Sequence, residues 1–248
     1  KGMEVYGHEY AIHFPHHAWP EGRDKKLSAV HDRTKALGGQ FGPYNGWERA
    51  LWYARPGDDI FEAAQRTWKR QGPWFAAVKA ECEAVRDAAG ILDLPGFSRF
   101  VIKGAGAAEW LARQITGKVP NVGRLGLAYF ADDAGRIVTE MSVARLGEDA
   151  LLLITAATAQ VHDRDWLANH LDAGLTLTEA TADWSTQIRT GPKSREILAA
   201  VSDADLAKGW LTFQTAHIAG AEVFLMRVSF AGELGWEIHS KVGDTAKV

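Results

Sequence analysis

The chain has a single cysteine, Cys82, among its 248 residues, so it cannot form a disulfide within one molecule. One unpaired cysteine is typical of a protein from a reducing compartment, and the sequence therefore predicts a cytoplasmic protein. Cys82 lies between Glu81 and Glu83. Their negative charges disfavour the thiolate, and a bystander thiol is the preferred interpretation over a catalytic nucleophile.

Several other features that mark particular protein classes are also absent. No stretch reaches the roughly 18 consecutive apolar residues of a membrane-spanning helix. The 28 Lys and Arg residues are outnumbered by 31 Asp and Glu, and the resulting net charge of −3 argues against a nucleic-acid partner. The sequence contains neither a Gly-x-Ser-x-Gly elbow nor a His-Glu-x-x-His zinc motif. What remains is an ordinary globular composition, with 46% apolar and 24% charged residues.

Residues 1–72 differ from the rest of the chain, because they show weak periodicity and contain five of the nine histidines. Residues 38–46 are rich in glycine and predict a loop. We interpret 1–72 as an arm or linker that follows another domain, and we expect the parent chain to continue N-terminally. His8, His13, His16 and His17 could suggest a metal site, but no second ligand pair matches them. A solvated or partner-facing arm is preferred, and no metal is predicted.

Residues 73–248 show the periodicity of regular secondary structure. The patterns predict helices over 73–90, 105–114, 159–171 and 192–201. They predict strands over 91–94, 98–103, 127–130, 137–146, 150–155, 175–179, 185–190, 213–218 and 223–230, and a further short strand after residue 234. Helices and strands are interspersed without strict alternation, which indicates an α+β domain with largely antiparallel sheets and flanking helices.

Two acidic residues interrupt apolar strands and are candidates for chemistry. Glu237 follows the glycine-bracketed turn 232–235, and its side chain alternates with those of Trp236 and Ile238. Glu140 lies in the predicted strand after the turn at Gly135. A carboxylate in such a place either lines a pocket, where it can bind donors or move a proton, or faces solvent. The pattern alone slightly favours the solvent for both residues.

Five segments occur in the order and with the spacing of a known family: 85–99, 130–140, 153–157, 191–195 and 229–238. From about Glu81 onward, the chain resembles the aminomethyltransferase fold of the glycine cleavage T-protein. It most resembles the folate-binding half of dimethylglycine and sarcosine dehydrogenases. The arm, notably 46–49, resembles the linker that follows the flavin domain in those dehydrogenases.

The resemblance implies a tetrahydrofolate site. Glu140 matches a family Asp that contacts the reactive edge of tetrahydrofolate, and Glu237 matches the Glu that binds the amino-pyrimidine edge of the pterin. Phe230 replaces a pterin-packing Tyr, so the ring is kept and the hydroxyl is lost. Leu127 replaces another common Tyr, and any hydrogen bond from that position is lost with it.

The resemblance also implies the reaction and the partners. The parent protein is expected to carry FAD in an N-terminal domain that oxidises an N-methyl amine. The present domain would then form 5,10-methylenetetrahydrofolate, with folate and a small-molecule substrate as partners and no membrane. We expect the chain to be truncated before the family's C-terminal segment. Two alternatives stay open: a non-catalytic structural or interaction module with the same fold, and a stand-alone aminomethyltransferase.

Overall fold

The computed structural model describes residues 2–12, 19–60 and 70–248, and antiparallel strands dominate it. The strands are β1 (Gly39–Tyr44), β2 (Trp47–Tyr53), β3 (Gly90–Asp93), β4 (Phe97–Lys103), β5 (Ile115–Thr116), β6 (Leu125–Ala131), β7 (Ile137–Gly147), β8 (Ala150–Ala156), β9 (Thr176–Glu179), β10 (Trp184–Thr190), β11 (Phe213–Ile218), β12 (Ala221–Met226) and β13 (Gly235–Lys241). The helices are α1 (Gly2–Gly7), α2 (His31–Ala36), α3 (Phe75–Asp87), α4 (Ala107–Gln114), α5 (Gln160–Asn169) and α6 (Ser194–Val201).

Strands β1 and β2 form a hairpin in the segment that the sequence predicted to be a loop, so the loop prediction for 38–46 is wrong. Asn45 and Gly46 form its two-residue turn, with φ of 50° and 80°. Asn-Gly with two positive φ values suits the turn that matches the twist of paired strands. Trp52 is buried, and the ring of Phe41 contacts that of His31, which anchors the hairpin. The glycines here serve strand pairing, and the Asn-Gly pair was the missed signal.

The hairpin and the segment before it contact the domain that follows. Ser28 Oγ donates to the carboxylate of Asp93 at 2.5 Å, and the backbone N–H of Tyr53 donates to the carboxylate of Glu81 at 3.0 Å. Burial raises the pKa of the Asp93 carboxyl group. The described part of residues 1–72 therefore contacts β3 and α3.

The larger sheet has the strand order β5-β6-β7-β8-β4-β9, with antiparallel neighbours throughout. One of its faces is covered by α4 and α5, because alternate residues of the strands are apolar and point to that side. Trp110 of α4 is fully buried there, and its indole N–H donates to the backbone oxygen of His170 at 2.7 Å. The other large buried side chains of this core are Phe100, Phe130, Met141, Leu151, Leu153 and Leu167.

The smaller sheet has the order β11-β12-β13-β10-β3. One face forms a core with Leu198 of α6, to which Trp236 and Ile238 of β13 contribute. The opposite face is turned toward the larger sheet. Side chains from both sheets meet in a shared apolar cluster that contains Ile154 of β8 and Met226 of β12. Because Glu237 alternates with Trp236 and Ile238, it projects into this layer between the sheets.

The strands and helices predicted beyond residue 73 are confirmed within a few residues, with one clear exception. The predicted strand 223–230 ends at Met226, and 227–234 form a loop. Beyond Arg227 the backbone N–H of Val228 donates to the oxygen of Met226 within its own segment, at 3.1 Å, so it no longer pairs with β11, and Gly232 within the loop has φ of 87°. The hydroxyl of Ser229 accepts from the N–H of Gly232 and closes a local turn that competes with strand pairing. Within the described ranges, no helix has the length and apolarity to cross a membrane.

Candidate functional site

Glu237 is held by a line of hydrogen bonds that starts in the other sheet. Arg99 of β4 donates through Nη2 to the hydroxyl of Thr186 on β10. The Thr186 hydroxyl lies 3.1 Å from Nδ1 of His239, and Nε2 of His239 lies 3.0 Å from the Glu237 carboxylate. We call these four residues the Arg99–Glu237 relay. The relay fixes the orientation of a carboxylate whose side chain is 22% exposed.

The direction of the donors follows from Arg99, which can only donate. Because the Thr186 oxygen accepts from Arg99, its hydroxyl proton is free to point at Nδ1 of His239. The imidazole proton then resides on Nε2 and is donated to Glu237. Thr186 and His239 thus each accept on one side and donate on the other, Arg99 only donates, and the Glu237 carboxylate is the final acceptor.

The burial of the relay keeps His239 uncharged. His239 is 2% exposed, and this burial lowers the pKa of its imidazole below the ordinary value of 6.5, although the hydrogen bond and the charge of Glu237 act in the opposite direction. Burial also lowers the pKa of Arg99 to about 10, against the influence of the Glu237 charge. At neutral pH the relay therefore contains a charged guanidinium and a neutral imidazole.

The relay makes a pH dependence of stability predictable. In the unfolded chain His239 takes up its proton near pH 6.5, whereas in the folded chain it does so only at lower pH. Between these values the unfolded state binds more protons, so the free energy of unfolding falls as the pH drops below that of the unfolded group, by at most about 1.4 kcal/mol per pH unit.

The His239→Gln variant keeps a donor and an acceptor but does not titrate, and we expect it to lose less stability as the pH falls. Urea unfolding at pH 7.0, 6.0 and 5.5 measures the slope for each protein. Equal slopes for the variant and the wild-type chain would remove His239 as the source of the dependence.

Glu140 and Leu127 lie on the six-stranded sheet, on the face that looks toward the smaller sheet. Leu127 is paired with Ser142, and Ser142 is paired with Ile154. Ile154 is in turn paired with Arg99. Directly opposed residues in antiparallel strands share a face, so this row places Leu127 on the same face as Arg99. Glu140 is two residues from Ser142 and shares that face as well.

The row gives the approximate distance of Glu140 from Arg99, the residue at which the relay to Glu237 begins. Glu140 is two strands away from Arg99 and two residues along, which places their Cα atoms about 12 Å apart from strand spacing and rise. Arg99 is at the other end of the relay from Glu237. The structure therefore places Glu140 and Glu237 in the same layer between the sheets, on opposite sheets. The side chain of Glu140 is exposed, and its backbone oxygen accepts from the Thr155 hydroxyl at 3.5 Å.

The two apolar residues predicted for the site are both exposed. The Leu127 side chain is 55% exposed on β6, in the same row as Ser142. The Phe230 ring is fully exposed in the loop 227–234, so the structure does not bring it together with the other three predicted residues. Tyr129 pairs directly with Glu140, is 36% exposed, and shares the face of Leu127.

Sequence reasoning missed the three residues that orient Glu237. His239 could have been found, because it follows Glu237 by two positions and shares its face. Arg99 is a charged residue in the otherwise apolar strand β4, which is a weaker signal. Their connection through Thr186 depends on the contact between the two sheets, and no local pattern in the sequence encodes it.

Metal ligation finds no support in the part of the chain that the structure describes. No three His, Cys, Asp or Glu side chains come together there in an arrangement that could hold a metal ion. His13, His16 and His17 lie outside the described residues. Cys82 is exposed on α3.

Comparisons with known proteins identify the class to which this fold and these residues belong. The sequence matches the family described as GCVT N-terminal domain over residues 30–248, and the chain belongs to this family. The solved structure of glycine cleavage system aminomethyltransferase T from Bartonella henselae is similar, with a TM-score of 0.72 and 18% identity over 89% of this chain and 55% of that chain. The expected α+β aminomethyltransferase fold is thereby confirmed.

Particular relatives extend the comparison to larger proteins. The chain is 27% identical to mitochondrial dimethylglycine dehydrogenase of Mus musculus, over 99% of this chain and 29% of that protein. It is 30% identical to 4-methylaminobutanoate oxidase (formaldehyde-forming) of Paenarthrobacter nicotinovorans, over 95% of this chain and 29% of that protein. The chain thus spans 29% of the length of these two relatives.

Proposed function

We propose that this chain is the tetrahydrofolate-binding, one-carbon transfer domain of a flavin-dependent dehydrogenase of the dimethylglycine or sarcosine type. The domain would form 5,10-methylenetetrahydrofolate from the oxidised N-methyl group. Family membership and the similarity to dimethylglycine dehydrogenase support this class of function. In the parent protein, a separate domain would hold FAD and select the amine.

The observation that carries the proposal is the orientation of Glu237. The amino-pyrimidine edge of a pterin presents adjacent N–H donors, and a carboxylate accepts such a pair through two parallel hydrogen bonds. Oxygen Oε2 of Glu237 accepts from His239, and a carboxylate has about four lone-pair positions, so acceptor capacity remains for a ligand. Glu237 is partly exposed, and its carboxylate is held in one orientation by the buried His239. The pterin edge would donate, and the free lone pairs of this carboxylate would accept.

Glu140, Tyr129 and Leu127 provide a surface for the reacting edge. When bound, tetrahydrofolate supplies the amine nitrogens that take up a one-carbon unit. Glu140 would accept a proton at its carboxylate oxygens and orient the neighbouring donor. Leu127 contributes apolar contact, and the hydroxyl of Tyr129 is available beside Glu140 in place of the hydroxyl that position 127 lacks. Phe230 would stack on a ring only after its loop moves, because the side chain is fully exposed.

The cellular location and the role of residues 1–72 stay predictions. The cytoplasmic location rests on the single cysteine. The role of residues 1–72 as the connection to a flavin domain rests on the resemblance of that segment to a linker. A stand-alone aminomethyltransferase is less favoured, because the match to dimethylglycine dehydrogenase extends through this segment and covers 99% of the chain.

Calorimetric titration of the chain with tetrahydrofolate tests the proposal directly. We expect a saturable heat with one site per chain. If no heat is found at several temperatures, and the full-length parent protein also gives none, the domain is a non-catalytic module. The lost hydroxyls at positions 127 and 230 would then be the signature of that module.

Glu140→Ala tests the second acid in the full-length parent protein. We expect folate-coupled product to fall at least about tenfold, since a positioned general base typically contributes that much or more. Amine oxidation should stay near normal, because the flavin domain performs it. Glu148→Ala, in the exposed turn at the far end of the same strand, is the matched control and should change neither rate. Equal loss of both activities in Glu140→Ala would contradict this role.

A further inference from the structure

A cavity of about 340 Å³ lies between the two sheets, on the side of the Arg99–Glu237 relay that points away from Glu237. Its lining includes Arg99 and Lys103 of β4 and His239 and Lys241 of β13. Glu140, Glu237, Leu127 and Phe230 do not line it. The volume falls in the range of about 300–1,000 Å³ that small-molecule sites occupy in proteins. The cavity is therefore large enough for a ligand and separate from the proposed pterin contacts.

The lining of the cavity is strongly cationic. Arg99, Lys103 and Lys241 contribute three positive charges, and Asp183 is the one acidic residue among its lining side chains. Within the described part of the chain, none of the three cations has an ion pair with an acid. Lys103 and Lys241 are exposed at the ends of their strands, whereas Arg99 is 3% exposed. The lining therefore combines one buried cation with two exposed cations.

The buried guanidinium has unused donor capacity. Nε of Arg99 has no hydrogen-bond partner among the described residues, and Nη1 makes only long contacts, of 3.4 Å to the oxygen of Phe97 and 3.3 Å to that of Trp184. A buried donor without a partner is unfavourable, and more so when the group is charged. An anion in the cavity would offset the charge of this guanidinium, which lies in the cavity wall. Glu237 does not do so by direct contact, because its carboxylate is reached only through Thr186 and His239.

The remaining walls are aromatic and aliphatic. Trp184 and Phe224 lie with ring centroids 5.2 Å apart, and the Lys241 ammonium lies 4.0 Å from the centroid of Trp184. Val101 and Leu152 form the opposite wall on the larger sheet. Such walls suit a flat apolar body more than a fully hydrated ion.

We propose that this cavity is a second ligand site, which binds a small organic anion with a carboxylate on a flat apolar body. The carboxylate interacts with Arg99 and the two lysines, and the apolar body lies against Trp184 and Phe224. The site goes beyond the proposed folate function, since none of the proposed pterin contacts lines it; Arg99 and His239 of its lining also belong to the Arg99–Glu237 relay.

Binding of 2-naphthoate, measured by calorimetry, tests the proposal with a defined probe. We expect 2-naphthoate to bind at least tenfold more tightly than the neutral 2-naphthamide, and inorganic phosphate to bind far more weakly than either. Equal affinity for the acid and the amide would overturn the proposal, because the cations would then contribute nothing. Phosphate that binds as tightly as 2-naphthoate would also overturn it, because the aromatic wall would then be irrelevant.

Variants locate the binding on the molecule. The double variant Lys103→Gln, Lys241→Gln changes only exposed side chains, and we expect it to weaken 2-naphthoate binding at least tenfold without a change in Tm. Lys247→Gln removes an exposed lysine that pairs with Asp244 and is the control. Unchanged affinity in the double variant would show that 2-naphthoate binds elsewhere on the molecule and would contradict the proposal. Glu237→Gln should leave 2-naphthoate affinity within about twofold, so the failure of either site is distinguishable from that of the other.

Discussion

Replacement of Glu237 by glutamine is expected to weaken the proposed binding of tetrahydrofolate by about 10- to 100-fold, which corresponds to the loss of one or two charge-assisted hydrogen bonds. Glutamine has nearly the same shape, but its amide presents a donor where a pterin presents donors as well. The amide can still accept from His239 through its oxygen, so we expect the fold to be retained. The loss therefore reports recognition and not packing.

Calorimetric titration with tetrahydrofolate measures the affinity, and thermal unfolding checks that the variant is folded. The control is Glu222→Gln, which makes the same chemical change at an exposed position of the neighbouring strand β12 and should leave the affinity unchanged. If Glu237→Gln binds as tightly as the wild-type chain, Glu237 is not the pterin-recognising acid. If both variants lose affinity equally, the effect is one of overall charge.

We expect the substitution Gly191→Ala to destabilise the domain by at least about 3 kcal/mol, because steric conflict adds to backbone strain. Gly191 has φ of 112°, a conformation that residues with a Cβ rarely adopt. A Cβ there would lie 2.5 Å from the backbone oxygen of Val85 and 2.7 Å from that of Ala88. Both oxygens belong to the end of α3. The backbone N–H of Gly191 donates to the backbone oxygen of Leu234, so neither the helix end nor Gly191 is free to move.

Gly135→Ala separates the two contributions. Gly135 also has a positive φ, of 76°, but a Cβ there meets nothing within 4 Å. We expect a cost of about 1–2 kcal/mol from conformation alone. Urea unfolding of both variants gives the free energies of unfolding. Equal costs at the two positions would show that the end of α3 yields to the new methyl group, contrary to the packing described above.

The parts of the fold that local pattern determines could be predicted from the sequence. Helix α3 has apolar residues at helical spacing, and β7 alternates around Glu140, so both elements were found within a few residues. The glycines of 38–46 by themselves predict a loop, whereas the Asn45-Gly46 turn between β1 and β2 is the signal for the hairpin. Strand β12 was extended too far, because the apolar character of Val228 and Phe230 does not show that a local turn ends the pairing at Met226.

The candidate site was predictable only in part, for a physical reason. Alternation along β13 shows that Glu237 and Ile238 face opposite ways, and this needs only the sequence. The residues that fix Glu237 lie on three strands, with Arg99 on β4, Thr186 on β10 and His239 on β13. Which strands lie next to one another is determined by the whole chain. The exposure of Phe230 likewise depends on where the loop 227–234 ends up, which no period within that loop determines.

Because the line of hydrogen bonds runs from β4 to β13, we expect ligand affinity to depend on the relative position of the two sheets. A substitution that slides one sheet past the other by a fraction of an ångström would misalign the imidazole and turn the carboxylate, even if it lies far from both. Weaker binding in such a variant would result from the shift between the two sheets and not from the loss of a ligand contact. A crystal structure of such a variant should therefore show displaced strands even where the side chains proposed to contact the ligand are unchanged.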